Sequence, residues 1–66
     1  MTLKVNGTTR DLPRDTSIAD LLKELGVPSE GTAVALNGTV VPRKDHGAAM
    51  LSDDDVVEVI RAVAGG

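Results

Sequence analysis

The sequence predicts a two-layer α+β fold: a mixed sheet of about five short strands with one main helix on one face. Three observations predict it. Apolar and polar residues alternate near both ends of the chain, the two-residue period of half-buried strands. Ile18, Leu21, Leu22 and Leu25 stand at i, i+3, i+4 and i+7, one continuous helix face. Asn6-Gly7 and Asn37-Gly38 are the dipeptides best suited to the positive φ angles of tight hairpin turns. A single helix covers only one face of a sheet, hence two layers.

In chain order, Leu3 and Val5 alternate with Lys4 and Asn6, then the first Asn-Gly turn leads into a second strand over Thr8–Leu12. Pro13 ends it, because proline cannot donate to a ladder. Ser17 is placed to cap the helix, with Asp20 three residues on completing an imperfect capping box. Gly26 suits the left-handed position after the last turn, and Pro28 prevents the helix resuming. Thr32–Asn37 reads as a third strand with Val34 and Leu36 on one face, and Thr39–Val41 as a short fourth closed by Pro42. Arg43–Met50 reads as irregular or 3₁₀ chain, and Asp53-Asp54-Asp55 as an acidic turn. Val56–Arg61 is the last strand, with Val57 and Val59 facing inward. It is the most apolar of the strands and is therefore expected in the sheet interior. Its outward residues Val56, Glu58 and Ile60 form a candidate docking surface beside the end of the chain. Residues 1–61 are thus expected to form the domain and 62–66 a flexible tail.

Composition narrows the function. Sixty-six residues make one domain near the lower size limit for a fold without staples. Cysteine is absent, which removes disulfides, thiolate metal sites and thiol nucleophiles. Phe, Tyr and Trp are absent too, so the core is built from Val, Leu, Ile and Ala and leaves little room for an internal ligand pocket. A net charge of −3 without aromatic faces argues against nucleic acid, whose binding needs clustered cations and stacking surfaces. Met1–Asn6 reads as a strand rather than a targeting segment, and no apolar stretch approaches membrane-spanning length, so a cytoplasmic location is expected.

Catalytic readings find little support. His46 is the sole histidine, in a polar loop where a solvent-facing side chain is expected, and nothing brings Ser17, Ser29 or Ser52 to it. Three adjacent aspartates lack the alternating ligand spacing of a calcium loop. The glycines through Gly47 are dispersed at turns and form no phosphate-cradling loop. What remains is Ala62-Val63-Ala64-Gly65-Gly66. Two adjacent glycines at a chain end arise by composition alone at roughly half a percent. Lacking Cβ atoms, they enter a channel too narrow for side chains and leave the carboxyl carbon of Gly66 open to attack. Five extended residues reach about 17 Å, enough to thread a partner's active site while the sheet docks outside.

The hairpin, the Ser17–Leu25 helix, Ala35-Leu36-Asn37-Gly38, Val41-Pro42-Arg43, the Asp53-x-Asp55 turn and Val63-Ala64-Gly65-Gly66 together resemble the ThiS family. These are sulfur carriers of thiamine thiazole biosynthesis with the β-grasp, ubiquitin-like fold. Asn37-Gly38 followed by Val41-Pro42-Arg43 points to the thiazole branch. Two departures stand out: Asp54 where the family commonly has Gly, and His46 where many members have Trp. The resemblance implies a carrier rather than an enzyme, binding no cofactor itself. A ThiF-type, E1-like adenylyltransferase using ATP and Mg²⁺ would place AMP on the Gly66 carboxylate. A sulfur donor protein would convert it to a thiocarboxylate, and a ThiG-type thiazole synthase would take the sulfur. Gly65 would provide access and Val63 and Ala64 would lie along the partner's channel; separately, the Arg43 side chain is a candidate to pair with an acidic partner surface. The alternatives are a carrier for molybdopterin or another sulfur pathway, and a ubiquitin-like interaction module with an inert tail.

Overall fold

Both Asn-Gly pairs make the turns their sequence predicts. Asn6 and Gly7 have φ of 52° and 80°, and Asn37 and Gly38 have 52° and 84°. The first turn joins β1 (Thr2–Val5) to β2 (Thr8–Asp11) and the second joins β3 (Thr32–Leu36) to β4 (Thr39–Val41), each as an antiparallel hairpin. These elements come from a computed structural model that describes residues 1–61; the expected tail, residues 62–66, lies outside the described residues.

Between the hairpins lies α1 (Ile18–Leu25). The Ser17 hydroxyl accepts the Asp20 amide at 3.1 Å, and the Asp20 carboxylate accepts the Ser17 amide at 3.2 Å. Aspartate therefore completes the box despite being shorter than Glu. Gly26 closes the helix in the left-handed conformation at φ 71°, returning its N–H to the Leu22 and Lys23 carbonyls. Ile18, Leu21 and Leu22 are buried, as the helix period requires, and Leu25 packs partly buried at the margin.

The last strand, β5 (Val56–Arg61), enters between the hairpins and gives the sheet order β2-β1-β5-β3-β4. It runs parallel to β1 and antiparallel to β3, so the sheet is mixed and the most apolar strand is central. Its inward Val57 is fully buried and Val59 half-buried. Nine aliphatic side chains from Leu3 to Val57 form the core between sheet and helix.

One expectation fails. His46 does not face solvent; it is only 2% exposed. The chain after β4 makes a 3₁₀ turn (Arg43–Asp45) and folds back over the start of α1. There the Ile18 amide donates to Ala49 and the Ala19 amide to the His46 carbonyl, both at 3.0 Å. These bonds satisfy helix-start donors that would otherwise need water. They also carry the imidazole inward, where Nε2–H donates to the Val41 carbonyl at 3.1 Å and Nδ1 is buried without a partner among the described residues. A polar-looking loop concealed a tertiary plug.

Candidate functional site

Alternation along β5 settles the two faces. With Val57 toward the helix, Val56, Glu58 and Ile60 project from the open face, where Val56 is 46% and Ile60 56% exposed. The register adds neighbours. Ile60 stands beside Ala33, and Glu58 beside Ala35, which in turn stands beside Val40, itself 68% exposed. On the other side Val56 adjoins Lys4. The open face therefore carries aliphatic residues of β5, β3 and β4, with Glu58 set among them between Val56 and Ile60 and Lys4 on the β1 side. The face is also indented. A depression of about 230 Å³ is lined by Thr2, Leu3, Lys4, Thr9, Asp54 and Val56, large enough to accept a side chain from a partner.

Alternation in β3 already puts Ala33 and Ala35 opposite Val34 and Leu36, but that they and Val40 lie beside the outward residues of β5 follows only from strand order. Arg43 is exposed but does not join them: it opens the 3₁₀ turn beyond β4, the edge strand two places from β5. Val63, Ala64, Gly65 and Gly66 lie outside the described residues.

The two turn asparagines are the functional-looking side chains that sequence reasoning read as turn formers alone. The Asn37 carboxamide accepts the Val56 amide at 2.9 Å and donates to the Asp55 carboxylate at 3.0 Å, holding the entry of β5. The Asn6 carboxamide accepts the Val59 amide at 2.8 Å and reaches the Val59 carbonyl at 3.4 Å, holding the other half. No local signal could have shown this, because Asn6 and Val59 are 53 residues apart.

The acidic run has structural duties. Asp53 accepts the Thr2 amide at 2.9 Å and pairs with Arg14 at 3.6 Å, while Asp55 accepts the Ser52 amide at 2.7 Å as well as Asn37. Both carboxylates tie the β5 entry turn to its surroundings, as acceptor-only groups do at turns. Among the described residues no cluster of three or more His, Cys, Asp or Glu side chains is placed to hold a metal ion.

A five-stranded mixed sheet grasping one helix, with its last strand central and an aliphatic open face, defines a ubiquitin-like β-grasp protein. The chain belongs to the ThiS family, whose model matches residues 3–66. ThiS from Geobacter metallireducens, a thiamine biosynthesis protein known as a crystal structure, superposes with a TM-score of 0.85 at 33% identity, over 100% of both chains. Curated relatives include a thiazole synthase of Magnetococcus marinus, 36% identical over 66 residues, and one of Paramagnetospirillum magneticum, 33% identical over the same length. Each match covers 100% of this chain but only 20% of the synthase, so the chain spans about a fifth of those proteins. ThiS-family proteins are sulfur carriers of thiamine biosynthesis rather than enzymes, and generally partner with ThiF- and ThiG-like enzymes.

Proposed function

We propose that this chain carries sulfur as a thiocarboxylate on Gly66 for assembly of the thiamine thiazole. The observation that carries the reading is the position of β5. The strand that leads into Ala62-Val63-Ala64-Gly65-Gly66 is the central one, flanked on both sides, so the body forms a firm base for a chain end without bulky side chains. The reading requires a free carboxylate at Gly66.

A carboxylate is a poor electrophile, and the chemistry follows from that. A Gly66 oxygen attacks the α-phosphorus of ATP in a ThiF-type adenylyltransferase. Pyrophosphate leaves, with Mg²⁺ held by that enzyme and its nucleotide. The acyl-adenylate now has AMP as a leaving group. Hydrosulfide released by a donor protein attacks the carbonyl carbon and expels AMP, and loss of the S–H proton leaves the thiocarboxylate. This chain contains no cysteine, so the sulfur comes from outside it. The open-face aliphatics Val56, Ile60, Ala33 and Val40 dock the body, Glu58 and Lys4 orient it, and Arg43 contributes at most a peripheral charge contact.

A ThiG-type thiazole synthase is the acceptor in this reading. Two thiazole synthases containing a segment that matches this entire chain support that choice over a molybdopterin pathway. The test is the intact mass of the chain after incubation with the adenylyltransferase, ATP, Mg²⁺ and a sulfur donor. The expected result is a gain equal to sulfur minus oxygen, localised to Gly66, and then lost on incubation with thiazole synthase. A stable thiocarboxylate that thiazole synthase leaves untouched would redirect the carrier to another pathway. No mass gain would leave an interaction module.

A further inference from the structure

We propose that the Asn6 carboxamide is a positioning group for the chain end, setting the direction in which the polypeptide leaves the sheet toward Gly66. This rests on the carrier reading above, since only a presented terminus makes the exit direction matter.

The two sides of β5 are unequally held. On the β3 side five residue pairs run from Val57 to the strand's end, where Thr32 meets Arg61. On the β1 side the pairs stop at Val5 and Val57, followed by one bond from the Asn6 amide to the Val57 carbonyl at 2.9 Å. There the chain turns away at Asn6-Gly7. Val59 would be the next residue to pair, and its N–H and C=O meet the Asn6 side chain in place of a strand. A carboxamide carries the same donor and acceptor as a peptide group, and so extends the ladder by one rung.

The turn itself does not require that side chain. A φ of 52° is open to Gly and Asp as well as Asn. Gly offers no bond to Val59, and ionised Asp offers an acceptor without the donor. Asn alone satisfies both the turn and the strand. Asn37 acts at the opposite end of β5, on Val56, and does not share this role.

The consequence lies at the strand's end. Without the extra rung, Glu58–Arg61 hang from β3 alone and gain freedom to twist and fray. Five residues fully extended reach at most about 17 Å, so a swing of about 20° at Arg61 would displace a point at that reach by about 6 Å. A partner must then select the productive direction from a wider set, which raises the concentration needed for half-maximal turnover. Once the terminus is seated, the chemical step is the same.

The experiment measures steady-state activation of the full chain by its adenylyltransferase, with hydrogen exchange at the Val59 amide as an independent report on the rung. Asn6→Gly keeps the turn and removes the rung; we expect KM for the carrier to rise about threefold to tenfold, the worth of one such bond, with kcat unchanged. Asn6→Asp restores the acceptor for the Val59 amide and returns KM most of the way. Ser17→Ala lowers stability from the far side of the molecule and leaves KM unchanged. If Asn6→Gly speeds Val59 exchange yet KM stays at the wild-type value, or if Ser17→Ala raises KM as much, the positioning role is wrong while the carrier reading stands. A wild-type chain that is never adenylated overturns both.

Discussion

Asp54 holds a φ of 66° in the acidic turn, a left-handed conformation that disfavours residues with a Cβ. Its amide donates to the Thr2 carbonyl at 2.8 Å, but its neighbours Asp53 and Asp55 supply the carboxylate contacts of the turn. The left-handed region costs an L-residue roughly 1–2 kcal/mol, and glycine gives back about 0.5–1 kcal/mol in unfolded-chain entropy. Asp54→Gly should therefore stabilise the fold by about 0.5–1 kcal/mol, seen as a rise in Tm of about 2–8 °C by thermal denaturation. A lower Tm would mean that the Asp54 side chain holds the turn in a way its backbone geometry does not suggest. His46 illustrates the opposite case at the same scale. It is a single polar side chain whose burial links the end of β4 to the start of α1, and its one ring bond to Val41 determines which nitrogen carries the proton.

Among elements, β5 has the most to do. Its inner face supplies Val57 to the core, its edges take two carboxamides, and its outer face exposes Val56 and Ile60. Those two aliphatics contribute little to stability, because water already reaches them. Ile60→Asp should cost the fold about 1 kcal/mol or less, the span of strand preferences. Within a docked open face, the same change buries an unpaired carboxylate and should weaken binding by about tenfold or more. Titration calorimetry against the adenylyltransferase and the thiazole synthase checks this. Unchanged affinity for both enzymes would remove the open face from the docking model. The helix has a narrower role, since its reciprocal Ser17–Asp20 bonds and the covering 3₁₀ segment leave its start closed to ligands.

For the whole molecule, the core of the described residues spans Leu3 to Val57. The proposed carrier chemistry lies at Gly66, outside that core. Removing 62–66 should leave Tm within about 2 °C of the full chain, a shift of less than about 0.5 kcal/mol, while abolishing sulfur acceptance. Leu21→Ala should do the reverse to the fold. Leu21 is completely buried, and its truncation costs about 2–5 kcal/mol in transfer and cavity terms. For a domain of this size that is a large part of the total. Thermal melts of both variants beside intact-mass assays test the division. A truncated chain that melts far below the full one would show that the terminal residues belong to the folded unit.

Element type, turn chemistry and the helix caps were determined by the sequence alone. Ser17, Asp20, Gly26 and the two Asn-Gly pairs act on neighbours within a few residues, so their backbone preferences are local and readable. The inward face of β5 was legible for the same reason, since alternation has a fixed period of two. Only the tertiary structure decided that Asn6 grips Val59, that Asn37 grips Val56, that His46 is a plug, and that Ala33, Ala35 and Val40 join Val56 and Ile60 on the open face. Those facts depend on which strand lies beside which. A strand's own pattern shows which of its residues face inward, but it does not identify the side chains that approach from across the sheet.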